Sequence, residues 1–125
     1  MQVISSREAP RAIGPYSQAI ASDDWIFTSG QIPLTASGAN VVGSIKDQTE
    51  QVLNNLEAVL IEAGSSLAGV VSVTVFMTDL GEFAEMNEVF AQRFGLHRPA
   101  RTTIQVAALP VGARVEINAV ARRQA

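Results

Sequence analysis

The segment from Val70 to Thr78 is partly apolar on both of its faces, and this most constrains how the chain folds. Successive side chains on a strand point to opposite sides. Val71, Val73, Val75 and Met77 therefore share one face, and Val70, Ser72, Thr74 and Phe76 the other. Such a strand needs cover on both sides. Two helical stretches are available to provide it. After Ser44, an N-cap with Asp47 in the capping-box position, Ile45, Val52, Leu53, Leu56, Val59, Leu60 and Ala63 recur at helical spacing. Gly64 stops the run. Asp79 and Glu82 form a second capping pair, opening a helix whose buried stripe is Phe83, Met86, Phe90 and Phe94.

The remaining strands are short. Ile13-Gly14-Pro15-Tyr16-Ser17-Gln18 reads as a turn entering a strand. A further strand runs from Trp25 and ends at Gly30 and Pro33, followed by a loop or loose hairpin from Leu34 to Val42. Strands at Thr102–Ala107 and Arg114–Arg122 flank the turn Leu109-Pro110-Val111-Gly112. The order is β-β-α-β-α-β-β, with at least five strands. This predicts an α+β fold, a mixed β-sheet with two helices packed on one face, in a single domain over 1–125. Two helices cover only one face. The other would leave apolar area wet at about 25 cal/mol per Å². We expect it to pack against other subunits in a closed symmetric oligomer, whose interfaces become candidate sites.

Composition narrows the chemistry. The net charge of −3 argues against nucleic acid as main partner, because phosphate binding needs a clustered basic surface. The absence of cysteine removes disulfides and thiolate chemistry, and a single histidine, His97, rules out a multi-histidine metal site within one subunit. No apolar signal core or membrane-length run is present, so the expectation is a soluble, cytoplasmic chain with no membrane partner. No glycine-rich phosphate loop appears.

Two charged residues stand out. Arg101 sits at the mouth of a β-branched strand, after rigid Pro99 and small Ala100. Glu116 lies between Val115 and Ile117, so it shares a face with Asn118 and opposes Val115, Ile117 and Ala119. A permanently charged fork facing a carboxylate across a small cavity suits a small carboxylic acid and a water molecule. Each residue also has an ordinary reading. Arg101 could cap a strand or join a surface ion pair, and Glu116 could be a solvated strand residue. Asn87 could be a helix-packing amide, Tyr16 and the Ser29-Gly30 pair could serve turns, and His97 reads as a solvated loop residue. The Phe and Met stripe reads as core.

The chain resembles the Rid (YjgF, reactive intermediate deaminase) family, nearest to its RidA type. The resemblance is carried by Ile13-Gly14-Pro15-Tyr16-Ser17-Gln18-Ala19, Thr28-Ser29-Gly30-Gln31-Ile32, Asp79-Leu80-Gly81-Glu82-Phe83 leading to Asn87, Pro99-Ala100-Arg101, and Gln105-Val106-Ala107-Ala108-Leu109-Pro110 to Val115-Glu116-Ile117. These run in the family's order over nearly the whole chain. The resemblance implies a chorismate-mutase-like trimeric barrel with sheets inside, helices outside and sites between subunits. It implies hydrolysis of 2-imino acids and their enamines, such as 2-iminobutanoate and 2-iminopropanoate, to 2-oxo acids and ammonia, without metal or organic cofactor. By matching position, Arg101 would bind the substrate carboxylate and Glu116 would hold or activate water. Tyr16, Ser29, Gly30, Asn87 and Thr103 would line the pocket, the Thr103 backbone lying near the imine nitrogen. The chain departs from the family's habit at four places: Thr103 replaces a frequent cysteine, Asn118 a frequent glutamate, Arg98 a frequent aromatic residue and Ser72 a frequent lysine. Rival readings are a non-catalytic small-carboxylate-binding or chaperone-like module, and the ribonuclease or translation-inhibitor activity ascribed to some relatives. The acidic balance disfavours the latter.

Overall fold

Capping fixes the longest element. In a computed structural model describing residues 1–124, helix α1 spans Ile45–Glu62. The Ser44 hydroxyl accepts the Asp47 N–H at 3.1 Å, and the Asp47 carboxylate accepts the Ser44 N–H at 3.2 Å. Both halves of the capping box are therefore made. At the other end Gly64 takes φ +85°, and the N–H groups of Gly64 and Ser65 donate to Ile61 and Leu60 carbonyls. That is a Schellman stop, which favours glycine because a Cβ resists this backbone. The second pairing differs from expectation. Asp79 caps a short 3-10 turn by accepting the Gly81 N–H at 2.8 Å, and helix α2, Phe83–Phe94, begins after it. Glu82 makes no reciprocal capping bond; its carboxylate pairs with Arg114 at 2.7 Å.

Six strands form one sheet: β1 Gln2–Ile4, β2 Ala19–Ser22, β3 Trp25–Thr28, β4 Val70–Met77, β5 Ala100–Gln105 and β6 Val115–Arg122. Their spatial order is β1-β2-β3-β6-β4-β5. All neighbours are antiparallel except β4 and β5, which run parallel with α2 as the crossover. Sequence reading missed β1, whose three residues are too few to display a period. Pairing with β2, Gln2 opposite Ala21, makes it a strand. The face assignment within β4 also needs one correction. A bulge between Val70 and Ser72 lets Val70 turn inward with Val73, Val75 and Met77, while Val71 is exposed.

Both helices lie on one face of this mixed sheet, as expected. The core between the layers includes Leu53, Leu56 and Leu60 of α1, Met86 and Phe90 of α2, and Val75, Ile117 and Ile26 of the sheet. The opposite face has no cover. Register places Val3, Ile20, Phe27 and Val120 in one row there, and Ile104, Phe76 and Glu116 in another. Phe27 is 49% exposed. Apolar side chains such as Phe27 therefore meet solvent on this face of the single chain. Among the described residues no helix is long and apolar enough to cross a membrane.

One buried amide couples α1 to the segment after β3. Asn55, fully buried, donates to the carbonyls of Ile32 (3.1 Å) and Leu34 (2.8 Å), and Gln51 satisfies its oxygen at 2.9 Å. Replacing it by alanine leaves those acceptors short of donors in a dry environment. Asn55→Ala is expected to lose about 2 kcal/mol of stability in urea unfolding. An unchanged midpoint would show that the loop does not depend on this tie.

Candidate active site

The two charged residues singled out by the sequence sit on opposite faces of the sheet. Glu116 pairs with Phe76, on the open face. Arg101 pairs with Val73, on the helix-covered face at the edge strand β5. The expectation that they face one another across a cavity is therefore not met within one chain. The reason is register: β5 lies beside β4 so that Arg101 falls in phase with the buried Val73 rather than with Phe76.

Each residue instead anchors a cluster of its own. In the first, Glu116 lines a cavity of about 540 Å³ together with Tyr16, Ser29 and Gly30. The β3 strand stops at Thr28, and Gln31 then rejoins the sheet through reciprocal N–H···O bonds with Ile117. Between them Gly30 packs directly against the carboxylate: a Cβ there would lie 2.2 Å from Glu116 Oε2. The Ser29 hydroxyl donates to the Ser17 carbonyl, and the Ser29 N–H to Gln18 O at 2.8 Å, which stitches the Tyr16 loop to this break. The Tyr16 hydroxyl accepts the Ile13 N–H at 3.3 Å. Glu116 itself has no hydrogen-bond or ion-pair partner among the described residues, and partial burial raises its carboxyl above the ordinary range.

Adding a methyl group at position 30 tests the closeness of this contact. Gly30→Ala is expected to fold, because the clash falls on the tip of a flexible side chain, while displacing the carboxylate. If Glu116 acts on a bound substrate, turnover should drop roughly 10- to 100-fold, the cost of misplacing a reacting group by about 1 Å. Wild-type rates in this variant would remove Glu116's position from the account.

The second cluster is built around Arg101. Its Nη1 donates to Asn87 Oδ1 at 2.8 Å. The guanidinium carbon lies 4.7 Å from the Phe90 ring centroid and 5.4 Å from that of Phe83. Aromatic faces stabilise a cation that has lost part of its hydration. Burial lowers the guanidinium's pKa, yet an arginine stays charged at any physiological pH. No carboxylate pairs with it among the described residues, so most of its five N–H donors have no protein acceptor. Thr103 follows on the same face of β5, in register with Val75. Val106 N–H bonds back to Met77 O, so the alternation of a parallel ladder turns the Thr103 backbone groups toward the unpaired edge.

Asn87, Arg101 and Thr103 thus form one cluster, and Tyr16, Ser29, Gly30 and Glu116 the other. Their helical spacing marks Phe90 and Phe83 as core alone. The helical spacing that marks the stripe carries no sign that two of its rings also stack on a cation. His97 also differs from expectation: it is half-buried, with Nε2 2.6 Å from the Val70 carbonyl at the bulge. Among the described residues no three His, Cys, Asp or Glu side chains converge as metal ligands. One further residue at the Glu116 cavity is strained. Val111, in the turn before β6, holds φ 51° and ψ 31°. A β-branched side chain in that left-handed region costs on the order of 1–2 kcal/mol.

Comparison with known proteins agrees with this architecture. The sequence profile of the family described as Endoribonuclease L-PSP matches residues 6–123. A RutC family protein of Pyrococcus horikoshii is 47% identical over 98% of both chains. Reactive Intermediate Deaminase A, chloroplastic, of Arabidopsis thaliana is 44% identical over 96% of this chain and 65% of its own length. The crystal structure of Escherichia coli TdcF with bound serine superposes with a TM-score of 0.93 at 38% identity, covering 99% of this chain and all of that one. The chain belongs to this family, the Rid/YjgF proteins.

Proposed function

We propose that the protein hydrolyses reactive 2-imino acids and their enamine tautomers, 2-iminobutanoate and 2-iminopropanoate among them, to 2-oxo acids and ammonia. Its sites are assembled between copies of the chain in a homotrimer, Arg101 of one copy meeting Glu116 of the next. The observation that carries this reading is the Arg101 guanidinium: charged, stacked on two rings, oriented by Asn87 and without a carboxylate of its own. A planar fork prepared in this way suits the carboxylate of a small acid. The serine held by the related TdcF is such an acid and supports the assignment.

The chemistry asks little else. A protonated imine carbon is already electrophilic, so orientation and a positioned water suffice. Glu116 takes a proton from that water as its oxygen adds to C2, giving a tetrahedral carbinolamine. The Glu116 carboxyl gives that proton to the nitrogen; as the C–N bond breaks, the regenerated carboxylate takes the carbinolamine hydroxyl proton, so that ammonia and the 2-oxo acid leave and the proton passes to solvent. A carboxyl raised above its ordinary range by burial is suited to acting first as base and then as acid. Tyr16, Ser29 and Gly30 shape the water's side of the pocket, and the outward backbone of Thr103 lies beside the imine nitrogen.

The test supplies the unstable substrate in place. A pyridoxal-phosphate threonine dehydratase releases 2-aminocrotonate, which tautomerises to 2-iminobutanoate, and formation of 2-oxobutanoate is followed with and without this protein. Acceleration at catalytic amounts is expected. Saturable binding of 2-oxobutanoate without acceleration would instead mark a non-catalytic binding module.

A further inference from the structure

The cavity beside Glu116 has an apolar side as well as the carboxylate. Ile13, Ile32, Leu34, Pro110 and Val111 all line it. Hydrocarbon grouped beside a reacting carboxylate suits the aliphatic end of a small acid.

Val111 points to what that is. Its backbone is left-handed, as is that of Gly112 at φ +72°, and its side chain is 63% exposed. A turn that needs two left-handed residues is most easily made with glycine or asparagine at both. A valine there is strained, and strain of this kind concentrates at ligand sites. The turn is held closed by the Ala113 N–H donating to Pro110 O at 3.1 Å. Val111 also lines a separate depression of about 240 Å³ beside Gly43 and Arg114, so it stands as the partition between the two.

We propose that Val111 is a specificity-determining residue. With Ile13, Ile32 and Leu34 it forms an apolar subsite that takes the side chain of the 2-imino acid. The protein thereby favours imino acids with branched or longer aliphatic side chains over the one-carbon side chain of 2-iminopropanoate. The inference rests on the deaminase reading for turnover but not for binding. Each methylene buried on this wall is worth about a fourfold gain in affinity.

The experiment uses two readouts. In the first, a flavin amino-acid oxidase with catalase generates imino acids from alanine, norvaline and leucine, and kcat and KM are measured for wild type, Val111→Gly and Val111→Phe. In the second, calorimetry compares binding of 2-oxopropanoate and 4-methyl-2-oxopentanoate. The wild type should prefer the leucine-derived imine by at least tenfold in kcat/KM. Val111→Gly should raise KM for that substrate about four- to tenfold more than it raises KM for the alanine-derived one, with the difference between substrates falling in KM rather than kcat. Val111→Phe should fill the subsite and exclude only the leucine-derived substrate. Equal effects on all three substrates, or a change in melting temperature with no change in preference, would overturn the proposal. No turnover of any imine, with 4-methyl-2-oxopentanoate still bound more tightly than 2-oxopropanoate, would sink the deaminase reading and keep the subsite. No preference in either readout would remove the subsite alone if turnover persists.

Discussion

Arg101→Ala is expected to lower kcat/KM for 2-iminobutanoate by about 10²- to 10³-fold while the assembly stays folded. A charge-assisted contact to a substrate carboxylate, once removed, costs about 3–4 kcal/mol. The fold should survive because Arg101 bridges no carboxylate and lies at the sheet edge; its contacts are one amide and two ring faces. Lysine separates charge from geometry. It keeps the cation but has neither the fork nor the flat face that lies on Phe90, so Arg101→Lys should recover less than about tenfold of the loss. The coupled dehydratase assay gives the rate and calorimetry with 2-oxobutanoate gives the affinity. Unchanged values in the alanine variant would show that the carboxylate is held elsewhere.

Glu116→Gln should be comparably severe, about 10²- to 10⁴-fold in turnover, because the amide keeps the shape and loses the base. Its pH behaviour carries a sign. Burial raises the Glu116 carboxyl, so wild-type kcat/KM should fall as pH drops through that raised value, and the residual rate of Glu116→Gln should be flat there. Stability runs the other way. A carboxyl with a higher pKa folded than unfolded favours the folded state below its unfolded pKa, and that contribution is lost as pH rises through the folded value. Glu116→Gln should therefore be modestly more stable than wild type at neutral pH and equal to it in acid. Mixing the two inactive variants then tests where the site is built. If Arg101 and Glu116 come from different copies, randomly mixed trimers of Arg101→Ala and Glu116→Gln regain about a quarter of wild-type sites. Sites contained in single chains would regain none.

The contrast between the Glu116 and Arg101 clusters shows how far the sequence reaches. Glu116 could be placed from its neighbours, because a pleated strand fixes which residues oppose which. Ser44, Asp47 and Gly64 likewise announced both ends of α1, since caps act within a few residues. The Val70 bulge, the three-residue β1 and the His97 contact with the Val70 carbonyl left no local trace. Each depends on a partner strand or loop far along the chain. Glu82 had the right spacing for a cap, but Arg114, distant in sequence and near in space, took its carboxylate.

From the order of residues alone came the α+β class, both ends of α1, the uncovered sheet face and the two charged residues worth testing. These are properties of periodicity and short-range hydrogen bonding. Tertiary structure decided that Arg101 falls in phase with Val73 and Glu116 with Phe76, on opposite sides of one sheet. It also decided that Phe90 serves the cation as well as the core, and that Val111 is held in a strained turn. Strand register and ring orientation are set by long-range packing, which no window of the sequence contains.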